Sequence, residues 1–346
     1  MPRKNLIQWT PRGRLKKFIE KRSNETYITC AGLEFHCKDR SQIDEVNSIL
    51  SNLDRERVTG LISPDQYKEK ISDLLYLTTG IEMNWKNPRT FQEKICWMKL
   101  YDVTPLKTRC ADKLLVRGYI SEKIGGEYLI PLLGVWENPD DIDFDALPDQ
   151  FVMKVNHGWN MNLIVKDKST IDTRFAREKL KAWMMNDLGM RSFEFQYSKI
   201  PRRIMAEKFI RSIGESDTPD FKFHCFHGEP KFIQFMIGRY IDLHHTFFDL
   251  SWNPVPYFTI DYPCHKHPEK IPRPKNLELM TDLAHALSKD FPFTRVDFYE
   301  IDGKIFIGEL TFSPAGGLIN YNSPEYNEKL GDLIQLPKKS KPFNPF

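Results

Sequence analysis

The chain has 346 residues, 40% hydrophobic and 28% charged, which excludes a disordered, collagen-like or coiled-coil protein and is enough for two or three cores. Its net charge is only +3, yet residues 1–22 hold eight basic residues against Glu20 alone. That arm carries +7 and leaves −4 on the other 324 residues, so a long polyanion is a poor partner and no nucleic acid is expected.

The predicted elements begin with a mostly helical N-terminal extension over residues 1–78. Leu15, Phe18 and Ile19 share a helical face, and Ser63-Pro64-Asp65 opens a further helix to Leu77. Thr90 stands three residues before Glu93, the spacing of a capping box, ahead of a helix to Leu100. Another helix runs from Asp112 to Ile124 and stops at Gly125-Gly126, before a short strand over Tyr128–Gly134. After the acidic stretch Asp140–Asp149 come strands over Phe151–Val155 and Asn162–Val165, a helix over 173–187 and a strand over Arg203–Ile210. Phe221–Phe226 and Pro230–Gly238 form a hairpin across His227-Gly228-Glu229, and Leu277–Leu287 is a helix. A last hairpin pairs Thr294–Glu300 with Lys304–Leu310 across Asp302-Gly303. Mixed helices and antiparallel hairpins make the class α+β. The expected divisions are 1–78, 79–150, a smaller lobe over 151–215, a larger lobe over 216–336, and a tail over 337–346.

No apolar run approaches the ~20 residues that span a bilayer. The basic start has no apolar stretch behind it, so no secretory signal is expected. The six cysteines form no Cys-x-x-Cys pair and read as reduced thiols, giving a cytoplasmic expectation. Cys264, His265 and His267 lack the separated pairs that zinc sites use. The basic arm is read either as an amphipathic helix on the protein body or as a peripheral contact with anionic membrane at the inner face.

Three places carry chemistry. Arg295 and Asp297, two apart, face the same way on a strand, and Glu309 lies opposite on its partner. Facing carboxylates suit Mg²⁺, which takes hard oxygen ligands and shares phosphate oxygens, and the arginine fork suits a phosphate or carboxylate. The other reading is a cross-strand ion pair on a solvated face. Lys154 sits in an apolar strand before a turn with Gly158, and either meets a phosphate or guards a sheet edge. Glu207 interrupts the end of a strand, where it either accepts from an adenine amino group or joins Arg203 and Lys208 in a surface network.

The order of these features resembles the ATP-grasp superfamily, and more closely its TupA-like (teichuronopeptide biosynthesis) family. The resemblance is carried by Thr90-Phe91-Gln92-Glu93-Lys94, Trp97-Met98-Lys99-Leu100-Tyr101-Asp102, Ala111-Asp112-Lys113, Val116-Arg117 and Glu122-Lys123-Ile124-Gly125. It continues through Leu129-Ile130-Pro131-Leu132-Leu133-Gly134-Val135-Trp136, Lys154-Val155-Asn156-His157-Gly158 and Ala206-Glu207-Lys208. Its last blocks are Lys289-Asp290-Phe291-Pro292-Phe293-Thr294-Arg295-Val296-Asp297-Phe298-Tyr299 and Gly308-Glu309-Leu310-Thr311-Phe312. The match covers roughly residues 80–337.

The resemblance implies an ATP-grasp fold, two α+β lobes with ATP between them, preceded by a helical N-terminal region. It implies that Lys113 and Lys154 hold ATP phosphates, with Lys222 near them. Glu207 and the main chain of Lys208, Phe209 and Ile210 would read adenine. Asp297, Glu309 and Thr311 would form the Mg²⁺ site, and Arg295 would steady the transferred phosphoryl group or the oxyanion. Thr311 stands where such enzymes often have Asn, and Trp159-Asn160-Met161-Asn162 replaces a small Gly-rich turn after the lysine strand. The implied activity is amide formation through an acyl phosphate, joining an amino acid to the carboxylate of a uronic acid in a cell-surface polysaccharide or its precursor. Arg117, Arg239, His244 and His245 are candidate substrate contacts. The rival classes are a glycosyltransferase using Asp141-Ile142-Asp143, an ATP-grasp kinase, and a scaffold whose ATP site has decayed.

Overall fold

Strand and helix assignments come from a computed structural model that describes residues 17–22, 25–210, 218–238, 242–255, 259, 261, 263–339 and 341–342. The chain divides into two compact units. The first comprises residues 1–63, 131–192 and 197–209; the second comprises 64–130, 193–196 and 210–346.

The first unit opens with β1 (Lys17–Arg22), β2 (Glu25–Cys30) and β3 (Leu33–Cys37), an antiparallel sheet in that order, followed by α1 (Arg40–Thr59). This corrects the helix expected around Phe18 and Ile19. Both lie on β1, opposite Thr29 and Ile28, while Leu15 falls outside the described residues. The cause is the hairpin behind it. Ala31 and Gly32 both take positive φ (52° and 81°), and the flanking strands bury alternate residues: Ile28 and Cys30, then Leu33, Phe35 and Cys37. Val46, Ile49, Leu50 and Leu53 of α1 close this core. The N-terminal region is helical from residue 40 onward, as expected.

The second unit begins with α2 (Tyr67–Thr79), α3 (Phe91–Tyr101), α4 (Pro105–Ala111) and α5 (Val116–Ile124). The capping box forms as read: Thr90 accepts from the Glu93 N–H at 3.3 Å and the Glu93 carboxylate accepts from the Thr90 N–H at 2.9 Å.

Back in the first unit, β4 (Leu132–Trp136), β5 (Phe151–Val155), β6 (Asn162–Val165) and β7 (Ile204–Lys208) form a four-stranded antiparallel sheet, order β4-β7-β5-β6. Between them lie α6 (Thr173–Met185) and the short α7 (Leu188–Ser192). Phe151, Met153 and Val155 are fully buried, which leaves Val152 and Lys154 on the other face.

The second unit's five-stranded antiparallel sheet has β8 (Asp220–Phe226), β9 (Glu229–Ile237), β10 (His244–Phe248), β11 (Phe293–Ile301) and β12 (Lys304–Thr311), in the order β10-β9-β8-β11-β12. α8 (Leu277–Ser288) packs on β8, β9 and β11, and α9 (Pro324–Asp332) packs on α3. The sheet's two faces differ in kind. Phe223, Val296 and Leu310 form one apolar row, while Lys222, Asp297 and Glu309 form a polar row on the opposite face. A bulge in β12 puts Glu309 opposite Asp297 but Ile307 opposite Phe298, which leaves Gly308 as the extra residue.

Candidate active site

The polar face of the five-stranded sheet gathers most of the predicted catalytic residues. Register sets Lys222 opposite Asp297, Asp297 opposite Glu309, and Arg295 opposite Thr311. Lys222 Nζ lies 2.5 Å from Asp297 Oδ2 and 3.7 Å from Asp220 Oδ2. Arg295 grips the same carboxylate as a fork, Nε to Oδ1 at 2.6 Å and Nη2 to Oδ2 at 2.7 Å. Its Nη2 also donates to Thr311 Oγ1 at 3.1 Å and stands 3.5 Å from Glu309 Oε1. Lys113, just before α5, reaches Glu309 Oε2 at 3.3 Å.

Lys222, Asp220 and Asp297 are no more than 5% exposed, so the solvated-face reading of this hairpin fails. Glu309 is the open member, its side chain 32% exposed. Burial works to raise its pKa, but Lys113, Arg295 and Lys222 outweigh burial and hold it down at about 2. Arg295 is raised above the ordinary arginine value despite its burial, because Asp297 stands against it. Three cations (Lys113, Lys222, Arg295) thus face three carboxylates (Asp220, Asp297, Glu309), and the cluster is charge-balanced.

Among the described residues no group of three or more His, Cys, Asp or Glu side chains is arranged as a metal site. Two opposed carboxylates and one hydroxyl are too few for an all-protein cage. They fit Mg²⁺ that arrives with phosphate oxygens, which is how this ion is usually held. Cys264, His265 and His267 do not assemble a zinc site; the His267 N–H donates to His265 Nδ1 at 3.2 Å and Cys264 is an exposed free thiol.

The candidate substrate residues fare differently. His245 is fully buried on β10, its Nδ1 3.3 Å from Gln234 Nε2, and burial lowers its pKa. His244, one residue earlier, turns to the Asp242 carbonyl at 3.0 Å. Arg117 donates from Nη2 to the Ile130 carbonyl at 3.0 Å, a structural contact within its own unit. Arg239 lies outside the described residues, as do residues 1–16 of the basic arm. Sequence reasoning missed Asp220, whose place two residues before Lys222 on the same strand face was the available signal.

In the first unit, Lys154 and Glu207 meet directly. Lys154 is opposite Met205 and Val152 opposite Glu207, so the two are diagonal neighbours on one face, with Nζ 2.6 Å from Oε2. Both are largely buried, which excludes an edge lysine; β5 is an interior strand. Beyond Glu207, the Lys208 N–H donates to the Pro131 carbonyl at 2.9 Å. Lys208 and Phe209 line a cavity of about 770 Å³ together with Leu133, Pro148, Asp149, Gln150, Lys166 and Asp167. Asp143 caps its own turn by accepting from the Asp145 and Ala146 N–H groups at 3.0 and 3.3 Å, and Ile142 is buried. The Asp-x-Asp motif is therefore a surface turn closed on itself.

A sheet bearing a buried lysine–glutamate pair, and a hairpin bearing two opposed carboxylates with an arginine fork, define a protein of the ATP-grasp class. The family model for TupA-like ATP-grasp proteins matches residues 93–335, and the chain belongs to that family. Solved structures with similarity include the D-alanine–D-alanine ligase of Bacillus anthracis complexed with ATP (15% identity, 70% of this chain and 65% of that one, TM-score 0.35). The same enzyme from Helicobacter pylori is similar at 15% identity over 65% of this chain and 61% of that one, TM-score 0.36. Phosphoribosylamine–glycine ligase of Thermotoga maritima is similar at 11% identity over 68% and 58%, TM-score 0.34. The chain spans less than two thirds of the length of each of these structures. No curated protein matches it.

Proposed function

We propose that the protein is an ATP-dependent carboxylate–amine ligase that forms an amide through an acyl phosphate. The observation that carries this reading is the buried, charge-balanced cluster of Lys222, Arg295, Asp297, Glu309 and Lys113 on one sheet face.

The γ-phosphoryl group of ATP passes to an oxygen of the substrate carboxylate, giving an acyl phosphate and ADP. The amine nitrogen then attacks the acyl carbon, the C–O bond to phosphate breaks, inorganic phosphate leaves, and the ammonium loses a proton. Neither step needs a covalent enzyme nucleophile. Each needs cations where phosphoryl charge moves. Asp297 and Glu309, with the Thr311 hydroxyl, would hold Mg²⁺, which neutralises phosphate charge when bound. Lys222 and Arg295 lie against the carboxylate that would take the ion, so they are placed to turn toward the phosphoryl oxygens once it binds. Lys113 does the same from Glu309.

In the first unit Lys154 would contact phosphate. Glu207 and the Lys208 carbonyl would accept from the adenine amino group, and the Ile210 N–H would donate, because the Lys208 N–H is already given to Pro131. We place the carboxylate on a uronic acid of a cell-surface polysaccharide or its precursor, and the amine on an amino acid. Of the candidate substrate contacts that are described, His245 shares a sheet face with Lys222 through Gln234 and is the one we favour. Among the described residues no helix is long and apolar enough to cross a membrane, and contact of the basic arm with anionic lipid at the inner membrane face is part of the proposal.

The test is ADP release with uronate-containing oligosaccharides and a panel of amino acids, followed by product mass. A product heavier by one dehydrated amino acid supports the ligase. A product heavier by one phosphoryl group would make it a kinase.

A further inference from the structure

The turn after Lys154 does not stand by itself. Gly158 packs so closely that a Cβ there would come 2.2 Å from Leu188 Cδ1 and 2.4 Å from Met161 Cε. Asn186 Nδ2 lies 3.1 Å from the Met161 sulfur, and the Arg191 guanidinium stacks on the Trp159 ring at 4.5 Å. The turn therefore leans on residues 186–191, and that segment leans on α1. Glu56 of α1, 5% exposed, accepts the Asp187 N–H on Oε2 at 2.7 Å. Among the described residues its Oε1 has no hydrogen-bond partner, and it faces Arg191 Nη1 at 3.8 Å.

We propose that Glu56 is a positioning residue for nucleotide binding: through Asp187, Arg191 and Trp159, the N-terminal segment sets the turn that follows Lys154. This rests on the reading of Lys154 as a phosphate contact. Glu56 lies outside residues 93–335, so the family match does not contain it. The chain of contacts runs wholly within the first unit. The Trp159 that replaces a small Gly-rich turn thereby acquires a purpose, since only a large flat ring gives Arg191 a surface to stack on.

The link is sensitive to charge. Burial raises the Glu56 pKa to about 7, against the opposing pull of the Asp187 N–H, Arg191 and Arg202, while the Asp187 carboxylate adds to the rise. Above about pH 7 the ionised carboxylate holds Arg191; below it, the neutral acid keeps the Asp187 N–H but loses that attraction.

Two measurements test this. The first is acrylamide quenching specific to Trp159, taken as wild type minus Trp159→Phe, from pH 5.5 to 8.5 without nucleotide. A step near pH 7 that vanishes in Glu56→Gln is expected. The second is Mg·ATP affinity at pH 8, expected to weaken about fivefold in Glu56→Gln and in Arg191→Gln, with no further loss in the double variant. Glutamine still accepts the Asp187 N–H, and the Arg191→Gln arm covers a failure of Glu56→Gln to fold. No step in the quenching overturns the proposal, as does wild-type affinity in both single variants. Wild-type protein that binds no Mg·ATP would sink the nucleotide reading and this inference with it, whereas equal binding by wild type and variants sinks this inference alone.

Discussion

Lys222 and Asp297 offer the cleanest test of the site's construction. At 2.5 Å and an effective dielectric of about 20, their attraction is on the order of 7 kcal/mol gross. Withdrawing both charges from water takes back most of it, yet removing one partner strands the other. Lys222→Met leaves Asp297 with Arg295 alone, and Asp297→Asn leaves Lys222 with Asp220 at 3.7 Å. Each single change should cost about 3 kcal/mol, the lower end for a broken buried pair, because a second counter-ion survives. The double variant removes both charges and should cost about 3–4 kcal/mol in total, a coupling of about 2–3 kcal/mol. Urea unfolding at pH 7.5, fitted to the transition of the unit holding β8 and β11, reads all three values. Costs that add to within about 0.5 kcal/mol would show that the two side chains are not each other's counter-ions, and the balanced-cluster argument would fail.

Glu309 predicts an acid limb. Its pKa lies below the ordinary 4.5, so its stabilisation is full above pH 4.5 and is lost as pH falls toward about 2; after allowance for solvent screening it is on the order of 1–2 kcal/mol. Glu309→Gln should flatten unfolding stability across that window, and an unchanged limb would refute the shift. Glu56 runs the other way: its carboxyl binds protons more readily folded than unfolded, so its contribution falls from pH 4.5 to about 7. Glu56→Gln should therefore stabilise the protein by about 3 kcal/mol at pH 8 and change little at pH 4.5, measured by chemical denaturation. Because the three cations and three carboxylates already balance, Mg²⁺ alone should barely move the melting temperature, whereas Mg·ADP at a hundred times its Kd should add about 2.7 kcal/mol. Equal shifts from both would contradict the balance. Lys154→Met should weaken Mg·ADP binding about tenfold or more by calorimetry, and unchanged affinity would remove Lys154 from the nucleotide site.

Much of this was legible in the chain. Asp302-Gly303 fixed the last hairpin because its two residues accept positive φ, at 50° and 77°. Period-two spacing then put Arg295 and Asp297 on one face. The Thr90–Glu93 box was readable because a cap is a local contact. The missed pieces are those whose cause lies far along the chain. β10 carries His244 and His245 only because β9 offers an edge to pair with, and nothing in His244-His245-Thr246 declares a strand. Glu56 sat in an unremarked polar helix, and only the arrival of Asp187, 131 residues later, makes it a buried acid. The N-terminal strands were hidden by a weaker turn pair, Ala31-Gly32, whose first residue seldom takes positive φ.

The bulge at Gly308 makes β12 change allegiance midway. Ile305 and Ile307 point into the core, yet Glu309 and Thr311, an even number of residues further, point into the site. A regular strand cannot do this. The extra residue thus lets one strand serve the core before the bulge and the polar row after it. Deleting Gly308 would make the strand regular and still leave Glu309 opposite Asp297 and Thr311 opposite Arg295, so the polar row would be kept and only the local twist of the bulge lost. A Cβ at Gly308 would meet the Tyr299 ring at 3.0 Å and the Asp297 carbonyl at 3.3 Å, so substitution crowds the bulge. One residue lost between Glu309 and Thr311, by contrast, would turn Thr311 to the core face, so spacing matters after the bulge and not at it.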